Sequence, residues 1–361
     1  MQGYRSLAGA ALAALLATGC GGPAPDAGES GPPLPWKRSF LGAAPAPADN
    51  PTTDAKAELG RLLFYDPILS SDRKVACATC HSEIWGMSDG LPRSIGVDGT
   101  GPTGPGRVGP NHTQRNAPTL WNAAYREHLF DDGRADSLES QVHSPLTKSV
   151  EMNRDPAQLV ADLSAIPKYV ELFKAAFPQE AAPLSYTDVT RALGAFERTL
   201  VTRRANYDRY AAGDTGGLNA ESIQGMELFA EAGCSSCHVP PRFESERYAN
   251  RGIGDGSDLG RYDVTNDPAD RGAFRVPTLR NIRETGPFFH DGSVVKLEDA
   301  VAHEAERSHA QGQSRKLYAD EVQAITMFLD KGLIDRTHDP SRPDTVPSGL
   351  EVPPDGFRIP R

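Results

Sequence analysis

The chain has 361 residues, among them 35 Gly and 30 Pro, so it is long enough for two domains of ordinary size and rich in loop formers. Hydrophobic residues make up 38% and the formal net charge is −10, which argues against a nucleic-acid partner because that role needs a basic face. An acidic surface could instead attract a basic redox protein.

Met1 to Arg5 precede an apolar stretch from Leu7 to Ala17 and then Thr18-Gly19-Cys20, which reads as a secretory signal too short to span a bilayer. The small residues before Cys20 resemble a bacterial lipobox, although Ala17 stands where leucine is usual. On that resemblance residues 1–19 are a lipoprotein signal peptide and Cys20 carries a lipid anchor, tethering the protein to a membrane on its periplasmic side. The other reading is an ordinary cleaved signal with an incidental cysteine. Residues 20–51, rich in Pro, Ala, Gly and Asp, read as a flexible tether.

Helical spacing begins next, with Ala55, Leu59, Leu62 and Leu63 on one face that Thr52 or Thr53 can cap. Cys77-Ala78-Thr79-Cys80-His81 follows, and Cys234-Ser235-Ser236-Cys237-His238 repeats the pattern later. Each thiol pair can add to the two vinyl groups of one haem, and the histidine then falls under the iron as its proximal ligand. A zinc site would need two more soft ligands, and a dithiol redox pair needs no trailing histidine. With Cys20 as the anchor, all five cysteines are assigned and none remains for a disulfide.

Between the motifs, Asp155-Pro156 reads as an N-cap with proline at the first helical position, leading into Leu159, Val160 and Leu163. Val189, Leu193, Phe196 and Leu200 form another apolar stripe, Gly213 to Gly217 a turn-rich break, and Leu218 to Phe229 a helix running into the second motif. No long stretch alternates apolar and polar residues as a half-buried strand would. The expected fold is mostly α, with two c-type cytochrome-like haem domains and long loops. They span residues 52–215 and 216–335, and a tail, 336–361, either wraps the N-terminal domain or is loose.

Several further runs resemble the bacterial di-haem cytochrome c peroxidase and MauG family. They are Asn116-Ala117-Pro118-Thr119-Leu120, Asp132-Gly133-Arg134-Ala135 with Leu138, Glu139 and Gln141, the pair Glu151-Met152, Val276-Pro277-Thr278-Leu279-Arg280-Asn281, and His290-Asp291-Gly292-Ser293. The resemblance implies that the N-terminal haem reacts with hydrogen peroxide and the C-terminal haem transfers electrons. Gln141 and Glu151 fall where the family keeps its distal glutamine and glutamate. A carboxylate beside the open iron position can move a proton between the peroxide oxygens, and the amide can orient the substrate. The family also binds calcium between its domains, and Asn116, Thr285 and Pro287 match those positions; oxygen ligands suit that hard cation.

Three positions depart from the peroxidase pattern. Val97 stands where many family members have a histidine that ligates the peroxidatic iron at rest, so an N-terminal haem open without prior reduction is expected; His112, nearby in sequence, is the rival ligand, or else a structural or solvated loop histidine. Glu304 occupies the place of the distal methionine or tyrosine of the second haem, beside His303, which is chemically the better ligand. Either one binds, or neither does; an anionic ligand would lower the haem potential. Asp131 replaces a tryptophan between the haems; coupling then runs through other groups, such as Trp121 or Trp85, or is slower.

The expectation is a peroxidase drawing electrons from a small c-type cytochrome or copper protein. Alternatives are a MauG-like oxidase of a partner protein's residues and a non-catalytic electron carrier, against which Gln141 and Glu151 argue.

Overall fold

The computed structural model describes residues 41–356; the proposed signal peptide, Cys20 and most of the proposed tether lie outside them. Eleven α-helices dominate: α1 Asp54–Tyr65, α2 Cys77–Cys80, α3 Leu138–Thr147, α4 Pro156–Ser164, α5 Pro167–Ala176, α6 Tyr186–Glu197, α7 Asn206–Ala211, α8 Ala220–Glu231, α9 Tyr262–Thr265, α10 Leu297–Ala310 and α11 Ala319–Met327. The sheet is a two-residue pair, β1 Tyr248–Ala249 antiparallel to β2 Phe274–Arg275. No helix among the described residues is long and apolar enough to cross a membrane.

Thr53 caps α1, its hydroxyl accepting from the Lys56 amide, as N-cap chemistry requires. The buried face of α1 runs through Lys56, Leu59, Gly60, Leu63 and Phe64, whereas Ala55 is exposed. The difference from the expected stripe has a physical cause at two positions. Gly60 sits where α6 crosses so closely that a Cβ would collide with the Ala192 carbonyl. Lys56 is tolerated inside because its ammonium donates to Asn50 Oδ1 at 3.0 Å and the Pro51 carbonyl at 3.3 Å. Asp155 caps α4 through the Gln158 amide, with Pro156 at its first position.

Two hydrophobic clusters organise the chain. The first joins Leu59, Phe64, Val142, Phe173, Leu193 and their neighbours; the second joins Tyr207, Met226, Phe229, Phe243 and Phe328. The tail closes over the first, with Val346, Leu350 and Val352 packed against it. Ser348 Oγ donates to Asp66 at 2.7 Å and Arg342 pairs with Glu83 at 3.0 Å.

The two halves repeat one design. In the second, α8 crosses α11 as α1 crosses α6, and Gly225 meets the Ala324 carbonyl as Gly60 meets that of Ala192. Asn122 and Asn281 both adopt left-handed φ, 62° and 56°, a conformation asparagine tolerates. Their amides donate to the Leu200 and Leu333 carbonyls, and their side-chain oxygens accept from Thr202 and Asp335. Each asparagine thus ties the loop below its histidine motif to the end of the half's last helix.

Candidate haem sites

Helix α2 is a single turn, which puts Cys77 and Cys80 on one face and leaves His81 as its C-cap. His81 Nδ1 lies 3.0 Å from the Met87 carbonyl. A carbonyl can only accept, so Nδ1 carries the proton and Nε2 is left with its lone pair for a metal, the usual arrangement of a ligating histidine. Burial pushes the imidazole down to about 4, keeping it neutral, and pushes the Cys77 thiol up to about 12.

In the second half, Cys234–Ser236 form a single 3-10 turn. His238 Nδ1 faces the Pro277 carbonyl at 3.0 Å and that of Phe243 at 3.2 Å. The Met87 and Phe243 carbonyls each also accept a second amide, from Leu120 and Leu279, so one device orients both histidines. Both donor sets, a thiol pair with a neutral imidazole exposing Nε2, fit covalent haem.

Beside α2 lies a cavity partly open to solvent, lined by Cys77, Cys80 and His81 and by apolar Phe64, Val75, Leu120, Val142, Leu146 and Met152. Gln141, from α3, and Glu151, from the loop after it, line the same cavity. The backbone explains how Glu151 is held. Gly96 packs so tightly on it that a Cβ would strike the Val150 and Glu151 carbonyls, and the Val97 amide donates to the Glu151 carbonyl at 2.8 Å. Lys148 pairs with the carboxylate at 3.3 Å. Val97 is 3% exposed and belongs to the core, while His112 is exposed and does not line the cavity.

One cavity residue escaped the sequence reading. Glu197 follows Phe196 and stands four residues after Leu193, so it shares the apolar stripe of α6, and that misplaced charge was its signal. Its Oε2 is buried without a hydrogen-bond partner, and desolvation raises its pKa to about 8.

On α10, Glu304 Oε2 accepts from Arg251 Nε at 2.7 Å, and His303 Nε2 donates to the Arg251 carbonyl at 2.9 Å. The pair therefore face different groups. Burial raises the pKa of Cys234 and lowers that of His238; the Glu304 charge adds to the first shift and opposes the second.

The loops carrying the calcium candidates adjoin one another. The Asn116 amide donates to the His290 carbonyl at 2.7 Å and its Nδ2 to that of Leu91 at 2.6 Å; Gly86 packs against Thr285, and Gly292, beyond Pro287, packs against Pro92. Among the described residues no group of three or more His, Cys, Asp or Glu could hold a metal, so any cation here would rest on amide and carbonyl oxygens.

Asp131 lies at the seam between the halves, its carbonyl accepting from the Arg275 amide at 2.7 Å. Trp85 and Trp121 are both buried, with indole nitrogens that have no hydrogen-bond partner among the described residues.

Residues 54–216 match the family model described as di-haem cytochrome c peroxidase. Methylamine utilization protein MauG of Methylorubrum extorquens is 40% identical over 264 residues, 72% of this chain and 71% of that one. Cytochrome c551 peroxidase of Pseudomonas aeruginosa is 37% identical over 287 residues, 77% and 79% of the two chains. The crystal structure of a MauG-like protein associated with microbial copper homeostasis superposes with a TM-score of 0.74 at 29% identity, covering 85% of this chain and 97% of that one. The relatives are haem-dependent oxidoreductases, and two c-type haems follow from the family and from both histidine motifs. The chain belongs to the di-haem cytochrome c peroxidase family.

Proposed function

We propose that the chain is a periplasm-facing peroxidase that reduces hydrogen peroxide to water at the haem of His81, with electrons arriving from a small redox protein through the haem of His238. The observation that carries this reading is the convergence of Gln141 and Glu151 on the cavity that holds Cys77, Cys80 and His81. When bound, the haem supplies an iron to which peroxide adds and a store for oxidising equivalents. The Gln141 amide donates to the substrate and sets its orientation. The Glu151 carboxylate takes the proton from the inner oxygen and returns it to the outer one, which leaves as water. Apolar walls from Val142, Leu146 and Met152 limit competing water.

A MauG-like oxidase is the second reading. Val97 leaves no histidine at that position to close the first iron, and Glu304 replaces a potential-raising methionine near the second. Glu304 is proposed as the distal ligand from its place in the family pattern, with His303 as the rival. Arg251 engages both, its guanidinium holding Glu304 Oε2 at 2.7 Å and its carbonyl accepting from His303 Nε2 at 2.9 Å, so either must release Arg251 to reach an iron. A calcium between the halves at Asn116, Thr285 and Pro287, and lipidation at Cys20, complete the proposal.

Peroxide consumption by the fully oxidised, haem-loaded protein, with and without a reduced small c-type cytochrome, tests it. Fast donor oxidation supports the peroxidase. A long-lived oxidised spectrum with little donor oxidation moves the function to a protein substrate, and no reaction leaves an electron carrier.

A further inference from the structure

A second cavity, of about 510 Å³ and open to solvent, is lined by Arg198, Arg203, Arg204, Thr337 and His338 among others. Neighbouring residues form the partition. Leu120 and Glu197 line the haem cavity; Arg198, next after Glu197, lines the second, and Trp121, next after Leu120, meets His338 of the second edge to face at 5.1 Å.

Charge in the second cavity is unbalanced. Asp335 also lines it, but its carboxylate is engaged by the amides of Arg203 and Arg204 and by Thr337. Arg198 pairs with Glu139 at 2.8 Å and leaves Nη1 buried without a partner. The side chains of Arg203 and Arg204 are exposed and make no hydrogen bond or ion pair among the described residues. Guanidinium groups gathered around a concave site favour an anion.

Trp121 is 3% exposed, packed in the first core cluster, with its indole N–H unpartnered. His338 is held neutral by burial and its Nε2 is likewise buried and unpartnered. An electron-rich ring therefore stands between the haem cavity wall and a site fit for anions, while the seam position between the haems holds Asp131, which cannot relay an electron.

We propose that the arginine-lined cavity binds a small anionic one-electron reductant, and that Trp121 relays its electrons to the haem of His81 without passage through the second haem. The proposal rests on the peroxide chemistry above. One peroxide, two protons from solvent and two electrons give two waters; two reductant molecules each lose one electron. Trp121 loses and regains one electron per transfer, keeping its N–H proton or lending it to His338.

Two probes test this. Hexacyanocobaltate(III), which is redox-inert, reports binding by equilibrium dialysis against the oxidised holoprotein, and ferrocyanide reports turnover. The double variant Arg203→Gln/Arg204→Gln is expected to weaken hexacyanocobaltate binding at least tenfold and to raise the ferrocyanide KM by a similar factor, with cytochrome-dependent turnover unchanged. Trp121→Phe is expected to lower the ferrocyanide kcat at least tenfold while hexacyanocobaltate still binds, and to remove a tryptophan-radical signal from samples frozen after peroxide addition. Equal hexacyanocobaltate binding by the double variant, or an unchanged ferrocyanide kcat in Trp121→Phe, overturns the proposal. Should peroxide be consumed with neither donor, the peroxidase reading fails, and the dialysis result still decides the anion site.

Discussion

Two carboxyl groups share the haem cavity, and their surroundings give them different work. Glu151 is partly exposed and paired with Lys148, so it suits proton transfer to and from peroxide. Replacing it with Gln should lower peroxide turnover at least about a hundredfold and leave the absorbance of both attached haems intact; unchanged turnover would remove Glu151 from the mechanism. Glu197 is buried, and desolvation lifts its pKa from 4.5 to about 8. The folded chain therefore holds a proton that the unfolded chain has released between those limits, so stability from this group falls as pH rises through that window. Glu197→Gln has no such dependence. Its stability relative to the unaltered protein should climb from pH 4.5 to pH 8 and then level off at a gain of more than about 1 kcal/mol. Urea unfolding across that range checks the sign, and a difference independent of pH would show that Glu197 stays ionised.

At the level of elements, the sequence made the α-rich class, the Asp155 cap, a threonine cap at Thr52 or Thr53 and both histidine motifs legible, because capping, proline placement and ligand spacing are local. It did not reveal the duplicated crossing of helices, since its signature is a glycine, Gly60 or Gly225, inside an otherwise ordinary helix pattern. Nor did it reveal that Arg251, distant in sequence, engages both His303 and Glu304, giving its carbonyl to one and its guanidinium to the other. The close crossings give a stability prediction. Gly60→Ala must push a methyl into the Ala192 carbonyl, and Gly225→Ala into that of Ala324. Backbone cannot yield as a side chain would, so each should cost about 1–3 kcal/mol in denaturant unfolding. The proposal that Glu304 on α10 ligates the second iron predicts that Glu304→Met raises the midpoint potential of that haem in a spectroelectrochemical titration, since a thioether favours the reduced iron and a carboxylate the oxidised one. An equal rise in His303→Met would reverse the choice of ligand.

The whole molecule depends on a polar seam between its two halves. Asp131 and Asp132 are adjacent carboxylates between the two halves. Arg115 pairs with Asp132 at 2.6 Å and grips Asp258 of the second half at 2.7 Å, and Arg261 donates to the Asp132 carbonyl at 2.8 Å. Burial raises the pKa of Asp131, and the charges of Arg115 and Arg275 oppose that rise. Around this network, Phe274 stacks on His290 at 3.6 Å and Arg115 lies over Phe274 at 5.3 Å. Arg115 thus both neutralises the acidic pair and joins the halves. Arg115→Met keeps its length but removes the charge, leaving Asp258 without its ion-pair partner and Asp132 with Arg134 alone, a loss at or below the ~3–5 kcal/mol seen for breaking buried pairs. Each half retains its own apolar cluster and its own haem ligands, so the loss should fall on their association. Thermal unfolding followed at the two haems should separate into two transitions in this variant, and electron equilibration between the haems should slow with it. A single transition, lowered as a unit, would mean that the apolar contacts around Phe274 hold the halves together and that the ion pairs serve only to neutralise Asp131 and Asp132.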